Sequence, residues 1–417
     1  MLTLLHLADV HFDALYAGRT PGLRRQLREA QHTAFERAID RACTTSVDAV
    51  LIAGDLLDAA RLSLPTEERL LSHLRRLETH DIPVVYATGT HDPGHAHGRI
   101  AALDWPANVH VVRTADPQTI PLHNDSGQRI GQVVAVGHPR KQVSENLAIR
   151  FPEADPNVPT IGLMHAHIDT ADGADAHDRY APCSVSDLQR LDYTYWALGH
   201  IHRGQQVEAD VPAYYAGNLQ GRHPEETGVK GGLLVRIPPE GPADVTVQPL
   251  APIRWETVHL SELETVHSVD AFIDTVRAAL RPIQTQAVAS EWMIRLVLHG
   301  QCPLAPMLHR RSDRREIAAR LKARLNVLDV DVHLDDLTRP VEVDRHRGEP
   351  HLAGEVLALI DRAHDDPDTL DALAADIDWA QALHAAPTER RAYLGRLLNA
   401  MDRRAIARLI PDAADTP

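Results

Sequence analysis

Short apolar runs alternate with stretches of helical periodicity along the N-terminal part of the chain. The runs at 2–7, 49–53 and 83–87 are rich in aliphatic and β-branched residues and are too short to be helices. The stretches between them place apolar residues at helical spacing, as at 30–39 and 70–77. This strand-helix-strand order predicts a largely parallel sheet that is covered by helices.

Further strands are expected in the next hundred or so residues. Apolar runs of strand length lie at 133–136, 160–164 and 195–198. Shorter alternating runs lie at 213–216, 232–237 and 245–249. These three shorter runs are expected to form a second sheet with more antiparallel pairing.

The pattern changes near residues 251–252. From 255 to 337 the order is strand, helix, strand, helix, strand, which predicts a separate small α/β unit. Residues 351–410 contain no strand candidate and carry an apolar stripe at helical spacing, which predicts a helical tail. The predicted domains are therefore 1–250, 255–340 and 345–417.

Composition directs attention to metal chemistry. The chain has 58 acidic and 43 basic residues, a formal charge of −15, which disfavours strong non-specific DNA binding through bulk charge. Three widely spaced cysteines disfavour a disulfide scaffold and a cysteine-based zinc site. Histidine is abundant instead, with 26 residues, and histidine with carboxylates is a ligand set for zinc, manganese or iron.

The sequence carries no signal for export or for membrane insertion. No apolar run reaches the roughly 18–20 residues that a spanning helix needs, and the first residues lack the basic stretch of a signal peptide. We therefore expect a cytoplasmic protein without a membrane segment.

Five short polar segments each follow directly after an apolar run that predicts a strand. They are Asp9-Val-His11, Gly54-Asp55, Gly89-Thr90-His91-Asp92, Met164-His165 and Gly199-His200-Ile-His202. Residues beyond the carboxyl ends of strands can meet in one crevice of an α/β sheet. Each segment alone is also typical of an ordinary turn, but together they supply three carboxylates and five histidines. Their joint occurrence predicts a metal centre.

The composition of these segments suits a pair of metal ions. Two ions about 3.5–4 Å apart need a group that binds both, and a carboxylate such as Asp55 can do so. Neutral imidazoles bind metal without adding negative charge that would repel a phosphate substrate. Gly54, Gly89 and Gly199 open three of the segments, where the backbone must turn sharply and leave room for an ion.

The five segments resemble the motifs of the calcineurin-like metallophosphoesterases, which read D-x-H, G-D, G-N-H-D or G-N-H-E, a single H, and G-H-x-H. Within that family the chain is most similar to the DNA repair nuclease branch that includes SbcD and the YhaO-type proteins. Supporting stretches lie at 6–13, 47–58, 180–183, 195–202 and 217–223. The resemblance implies an α/β fold with two sheets packed as a sandwich between helices, a small α/β capping domain and a helical C-terminal tail.

The resemblance also implies a role for each matching residue. Metal 1 would be held by Asp9, His11, Asp55 and His202. Metal 2 would be held by His165, His200 and the bridging Asp55. His91 would stabilise the transition state or protonate the leaving oxygen, and Asp92 would orient it. Both ions are expected to be Mn²⁺, with iron or zinc as alternatives.

One position departs from the family pattern, because Thr90 stands where the family has asparagine. An asparagine amide oxygen would reach metal 2 as a neutral ligand, whereas a threonine hydroxyl has a shorter reach and is a poorer donor. Thr90 is therefore a candidate ligand of metal 2, and we expect metal 2 to bind more weakly than it would with asparagine at this position. Reduced activity stays open as an alternative.

Three further features have both a functional and a structural interpretation. His167 lies two residues beyond His165, so it could contact the substrate or support the metal ligands. Arg222 and His223 could bind a phosphodiester or belong to a structural loop. The arginine cluster at 310–315 is the strongest local basic patch, although a solvated helix face is its default interpretation.

The resemblance implies a metal-dependent phosphodiesterase that acts on DNA in repair, as an exonuclease or endonuclease subunit. It also implies a homodimer and an SMC-like ATPase partner of the SbcC or YhaN type, which the helical tail would bind. Two alternatives stay open. The same core could serve a small-molecule phosphodiesterase or phosphatase, or the chain could be a regulatory subunit with a degenerate metal site that binds the ATPase.

Overall fold

The apolar runs form strands that are buried on both faces. The computed structural model describes residues 1–58, 62–94, 103–169, 179–285, 291–376, 393–395, 397–398 and 401–410. Its first three strands are β1 (Leu2–Leu7), β2 (Ala49–Ala53) and β3 (Val84–Ala87), and every residue in them is buried. They pair in parallel, as continuous apolar runs of this length predict.

Nine more strands complete two sheets in the first part of the chain. They are β4 (Val109–Val112), β5 (Gln118–His123), β6 (Arg129–Ala135), β7 (Thr160–His165), β8 (Tyr195–Gly199), β9 (Gln205–Gln206), β10 (Ala213–Tyr215), β11 (Gly231–Ile237) and β12 (Asp244–Pro249). The first sheet has the order β12-β11-β1-β2-β3-β4, and the second has the order β5-β6-β7-β8-β10-β9.

The placement predicted for two late strands was wrong. The runs at 232–237 and 245–249 were expected in a second, more antiparallel sheet, but β11 pairs antiparallel with β1 and so extends the first sheet, with β12 beyond it. Only the run at 213–216 contributes to the second sheet, through β10. Alternation of apolar residues indicates a strand, but it does not encode which sheet edge that strand joins.

Helices cover the outer faces of both sheets. They are α1 (Pro21–Thr45), α2 (Leu64–Glu78) and the short α3 (Val185–Gln189). The side chains of Thr20 and Ser63 cap the first two helices. One apolar core lies between the first sheet and its helices, a second lies on the α3 side of the second sheet, and a third lies between the sheets. This is the predicted sandwich.

Contacts divide the chain into two compact units. The first comprises Met1–Glu256 and Ala287–Met293, and the second comprises Thr257–Gln286 and Ile294–Pro417. The elements from residue 253 onward are β13 (Ile253–Glu262), α4 (Val269–Thr285), β14 (Glu291–Gln301), α5 (Ala305–His309), α6 (Arg311–Leu325) and β15 (Asp329–Leu334). The three strands form one sheet in the order β13-β14-β15, with helices between them, and the predicted domain range 255–340 stays a prediction.

Helices make up most of the described part of the chain after residue 351. Its helices are α7 (Leu352–Asp365), α8 (Pro367–Asp376) and α9 (Met401–Leu409). Leu357 and Ile406 join α7 to α9 in a small apolar cluster. The exact domain boundary predicted near 340–345 stays a prediction. Among the described residues, no helix is both long and apolar enough to cross a membrane.

Candidate metal centre

Five strand ends, from both sheets, bring the predicted segments together. The chain turns out of β1 at Asp9, out of β2 at Asp55 and out of β8 at His200, while β7 ends at His165. Hydrogen bonds between the turns hold them in place. The Asp9 N–H donates to the carbonyl of Gly54 over 3.1 Å, and the His200 N–H donates to the Asp9 carboxylate over the same distance. Residues far apart in sequence therefore lie in one cluster of side chains.

The Asp55 carboxylate lies between two histidine rings. Its Oδ2 is 3.7 Å from Nε2 of His11 and 3.5 Å from Nε2 of His165. On the other side, Asp9 Oδ1 lies 3.8 Å from Nε2 of His202. Among the described residues, three groups have their potential ligand atoms within 4.8 Å of one another: Asp9, His11 and His202; Asp9, Asp55 and His165; and His11, Asp58 and His91. Asp9 is common to the first two of these groups, and the Asp55 carboxylate lies within 3.7 Å of one histidine from each of them.

The backbone at the site is unusual, since several of these residues adopt left-handed conformations. The φ angle is 49° at Asp9, 51° at His11 and Asp55, and 107° at His200. Such conformations are uncommon for residues other than glycine and persist only where surrounding contacts enforce them. At position 89 glycine is required for lack of space, because a Cβ there would lie 2.3 Å from Oδ1 of Asp55. Close approach to Asp55 therefore demands glycine.

The charge states of His11 and Asp55 suit a divalent metal ion. Burial, followed by the Arg222 guanidinium, lowers the pKa of His11 to about 3, which leaves its ring neutral. Burial alone would raise the pKa of Asp55, but His165, His11 and His91 hold it below its usual range. Nε2 of His11 and of His165 are buried and have no hydrogen-bond partner within the described part of the chain. Buried lone pairs beside carboxylates fit a divalent cation.

The histidine expected to act on the leaving group has a different partner from the predicted one. Nδ1 of His91 lies 2.8 Å from Oδ1 of Asp58, and this hydrogen bond raises the pKa of His91. The same Asp58 oxygen is 3.5 Å from Nδ1 of His11. The side chain of His91 is 40% exposed, whereas His11 is fully buried. His91 is therefore open to an incoming substrate.

The predicted orienting role of Asp92 stays a prediction, and the structure gives its carboxylate hydrogen-bond partners other than His91. Its carboxylate accepts hydrogen bonds from the backbone N–H groups of Asp55, Leu57 and Gly89 and from the Tyr86 hydroxyl. Burial and the nearby Asp55 carboxylate raise the pKa of Asp92 to about 6. A carboxylate with four donors already directed at it fixes the loop that carries Asp55. Asp58, three residues after Asp55, is the carboxylate that lies against the His91 ring.

Thr90 contacts the carboxylate that was expected to bridge the metals. Its hydroxyl donates to Oδ2 of Asp55 over 3.1 Å, and the His91 N–H donates to Oδ1 over 2.8 Å. Thr90 is buried. Its predicted role as a ligand of metal 2 stays a prediction, but the residue lies beside the expected metal position.

The remaining candidates are His167, Arg222 and His223. His167 is buried, with its ring centre 5.8 Å from that of His200 and its Nε2 3.4 Å from Asp169. Arg222 lies close enough to affect the pKa of His11, and its Nε is buried without a hydrogen-bond partner among the described residues. His223 is exposed, and its Nδ1 accepts a hydrogen bond from the Glu225 N–H.

Two carboxylates were missed from the sequence. Asp58 follows the Gly-Asp segment and could have been found by extending that motif by three residues. Glu226 lies 2.7 Å from Nδ1 of His202, but it sits 24 residues further along in a polar loop. No local pattern in the sequence marks Glu226, since only the folded loop brings it to the site.

Comparisons with known proteins show which family the chain resembles. A family model for calcineurin-like phosphoesterases matches residues 2–204, and a model for the middle domain of metallophosphoesterase YhaO matches residues 255–339. An uncharacterised metallophosphoesterase YhaO from Bacillus subtilis is 32% identical over 308 residues, which cover 72% of each chain.

Two proteins named for DNA processing are also similar. The DNA double-strand break repair protein Mre11 from Aeropyrum pernix is 30% identical over 56% of this chain and 57% of its own. The SbcD component of the nuclease SbcCD from Bacillus subtilis is 22% identical over 62% of this chain and 70% of its own. A solved dimetal phosphatase from Danio rerio aligns with 60% of this chain and 99% of its own, at 10% identity and a TM-score of 0.36.

Proposed function

Because this chain belongs to the calcineurin-like phosphoesterase family, we propose that it is a two-metal phosphodiesterase that cleaves DNA. The observation that carries the proposal is the position of Asp55 between two buried histidine nitrogens, those of His11 and His165. One carboxylate with a histidine on either side is the arrangement that a bridged pair of ions needs. We propose Mn²⁺ as both ions.

The residues divide into two ligand sets and one acid. Asp9, His11 and His202 would hold the first ion, His165 and His200 the second, and Asp55 both. Bound divalent ions lower the pKa of water and neutralise phosphate charge. His91 is partly exposed and is assigned to neither set, so its ring can give a proton to the leaving oxygen while Asp58 holds Nδ1.

A basic surface in the second unit favours a polyanionic substrate over a small one. Residues 310–325 contain seven arginine or lysine residues and two acidic ones, in a chain whose formal charge is −15. Arg311, Arg315 and Lys322 are exposed and spaced by four and seven residues, so they lie on one face of α6. A row of cations on one helix face suits the phosphate backbone of DNA.

The relatives support DNA as the substrate class. Both the Mre11 protein and the SbcD component carry names that refer to DNA repair or to a nuclease. We further propose that the chain acts as a homodimer and binds an SMC-like ATPase through its C-terminal helices. Exposed Leu352 and Leu359, seven residues apart on α7, supply an apolar face for that partner.

One experiment separates these activities. Purified chain with Mn²⁺ is incubated with end-labelled single-stranded and double-stranded DNA and, separately, with bis-p-nitrophenyl phosphate. Cleavage of both DNA and the small diester supports the proposal. Cleavage of the small diester without any cleavage of DNA would favour a small-molecule phosphodiesterase, and absence of both activities would favour a regulatory subunit.

A further inference from the structure

We propose that Glu226 is a positioning residue that sets the metal affinity of the group formed by Asp9, His11 and His202. The inference rests on the proposed metal-dependent function and assigns a role to a loop that contributes no ligand of its own. Glu226 lies in the segment 217–230, which begins after β10 and ends before β11.

Glu226 fixes the ring of His202. Its Oε1 accepts a hydrogen bond from Nδ1 over 2.7 Å, and both side chains are only 14% exposed. A proton on Nδ1 leaves the lone pair on Nε2, which faces Asp9 Oδ1 at 3.8 Å. A carboxylate on the remote nitrogen orients a metal-binding imidazole and makes it a stronger donor. Glu226 therefore acts on the metal through His202.

The Glu226 carboxylate is itself held from two further directions. Its Oε2 accepts hydrogen bonds from Nδ2 of Asn218 over 2.7 Å and from the Arg222 N–H over 2.6 Å. Asn218 is fully buried. A carboxylate with three fixed donors does not need to reorganise when a metal binds, so its effect on the ligand is built into the fold.

The same loop also holds the backbone of His202. The His202 carbonyl accepts hydrogen bonds from Nζ of Lys230 over 2.6 Å and from the Asn218 N–H over 3.2 Å. Lys230 is buried. Ring and backbone are thus anchored by one segment, and the position of this ligand depends on residues 218–230 as a unit.

The second metal group is anchored differently. Nδ1 of His165 lies 2.9 Å from the carbonyl of Ala53, a neutral acceptor in β2. That contact involves no residue of the loop at 217–230. Loss of the Glu226 charge should therefore weaken the group that contains His202 and spare the group that contains His165.

The test compares Glu226→Gln with the wild-type chain by calorimetric titration with Mn²⁺. Glutamine keeps the shape of the side chain but removes its charge. We expect one of two binding events to weaken by about 10–100-fold while the other keeps its affinity, by the usual size of such losses. The control is Glu225→Gln, an exposed neighbour with an 80% exposed side chain, which should match the wild type.

A second readout does not depend on turnover. Co²⁺ bound to Glu226→Gln should show an altered visible absorption spectrum at the weakened site, because the orientation of the imidazole changes. Wild-type affinities for both ions, or equal weakening of both, would overturn the inference. If Glu226→Gln does not fold, Glu226→Asp should show the same selective weakening to a smaller degree, and unchanged binding by that variant would overturn it. Selective weakening in a chain that cleaves no DNA would sustain this inference while refuting the proposed function.

Discussion

At the scale of single residues, the site depends on side chains that each serve two neighbours. Asp58 contacts the rings of His91 and His11, and Asp55 contacts His11 and His165. Shared carboxylates of this kind fix the spacing between histidines. The predicted ligands were recognisable because each lies at a strand end, whereas Asp58 and Glu226 support them from positions that the motifs do not mark.

His91→Ala should remove proton transfer and leave metal binding intact. General acid catalysis typically contributes about 10²–10⁴-fold, so kcat for bis-p-nitrophenyl phosphate should fall by that order. Metal content by elemental analysis should equal that of the wild type, because His91 belongs to neither ligand set. Loss of a bound metal in this variant would move His91 into the ligand set.

Thr90→Asn should improve the second metal site. An amide oxygen extends one atom further than a hydroxyl and is a better neutral donor, so half-maximal activity should need less Mn²⁺, by about 10–100-fold if the change resembles other ligand-support losses. The control is Thr90→Val, which keeps the shape but removes the hydroxyl that donates to Asp55. An identical Mn²⁺ titration for Thr90→Asn and the wild type would show that residue 90 is not at metal 2.

At the scale of elements, parallel strands explain why so much of the site was predictable. Buried strands such as β1, β2 and β3 read as continuous apolar runs, and their ends point to one edge. The partner of β11 was not predictable, because it depends on a return of the chain across the sheet to β1. The contacts of Glu226 were hidden for the same reason, since they require the loop before β11 to fold back over His202.

The basic face of α6 should contribute to DNA binding through charge alone. The slope of log affinity against log salt concentration is negative, and each phosphate contact adds about 0.9 to its magnitude. Arg311→Ala combined with Arg315→Ala should therefore reduce that magnitude by about 2. Hydrolysis of bis-p-nitrophenyl phosphate should be unchanged. Fluorescence anisotropy with labelled duplex DNA at several salt concentrations measures the slope.

The matched control removes two arginines of the first unit, at the ends of the strands away from the candidate metal centre. Arg75, in the last turn of α2, and Arg190, which follows α3, are exposed and precede strands whose far ends form the site. Arg75→Ala combined with Arg190→Ala removes the same charge and should leave the slope unchanged. If both double variants have the same slope, α6 does not contact the DNA and its basic face is exposed to solvent.

At the scale of the whole molecule, the two units carry different features. The first contains every candidate ligand, and the second contains the basic helix and the exposed leucines of α7. The change of pattern near 251–252 led to the prediction of separate domains at 1–250, 255–340 and 345–417, and those ranges stay a prediction. Whether the tail packs on its own unit or binds a partner was not predictable, because an apolar stripe at helical spacing looks the same in both cases. Part of the stripe, at Leu357 and Ile406, is used internally.

The exposed leucines should matter for partner binding and not for catalysis. Leu352→Glu combined with Leu359→Glu should abolish capture of a co-expressed SMC-like ATPase, because charges on α7 would be buried at the contact. Activity on bis-p-nitrophenyl phosphate should stay at the wild-type level. Ile149→Glu, at a 60% exposed position in the first unit, is the control and should leave capture intact. Undiminished capture by the double variant would exclude this face as the docking surface.

The central claim is that Asp55 joins two metal ions in one hydrolytic site, and the most direct measurement is the Mn²⁺-dependent turnover of Asp55→Ala on bis-p-nitrophenyl phosphate. The substitution removes a proposed ligand of both ions, but the apolar cores of the sheets keep their contacts. The variant should therefore fold, with a melting temperature close to that of the wild type. We predict that hydrolysis is abolished. Turnover near that of the wild type in a folded Asp55→Ala chain would contradict the two-metal account.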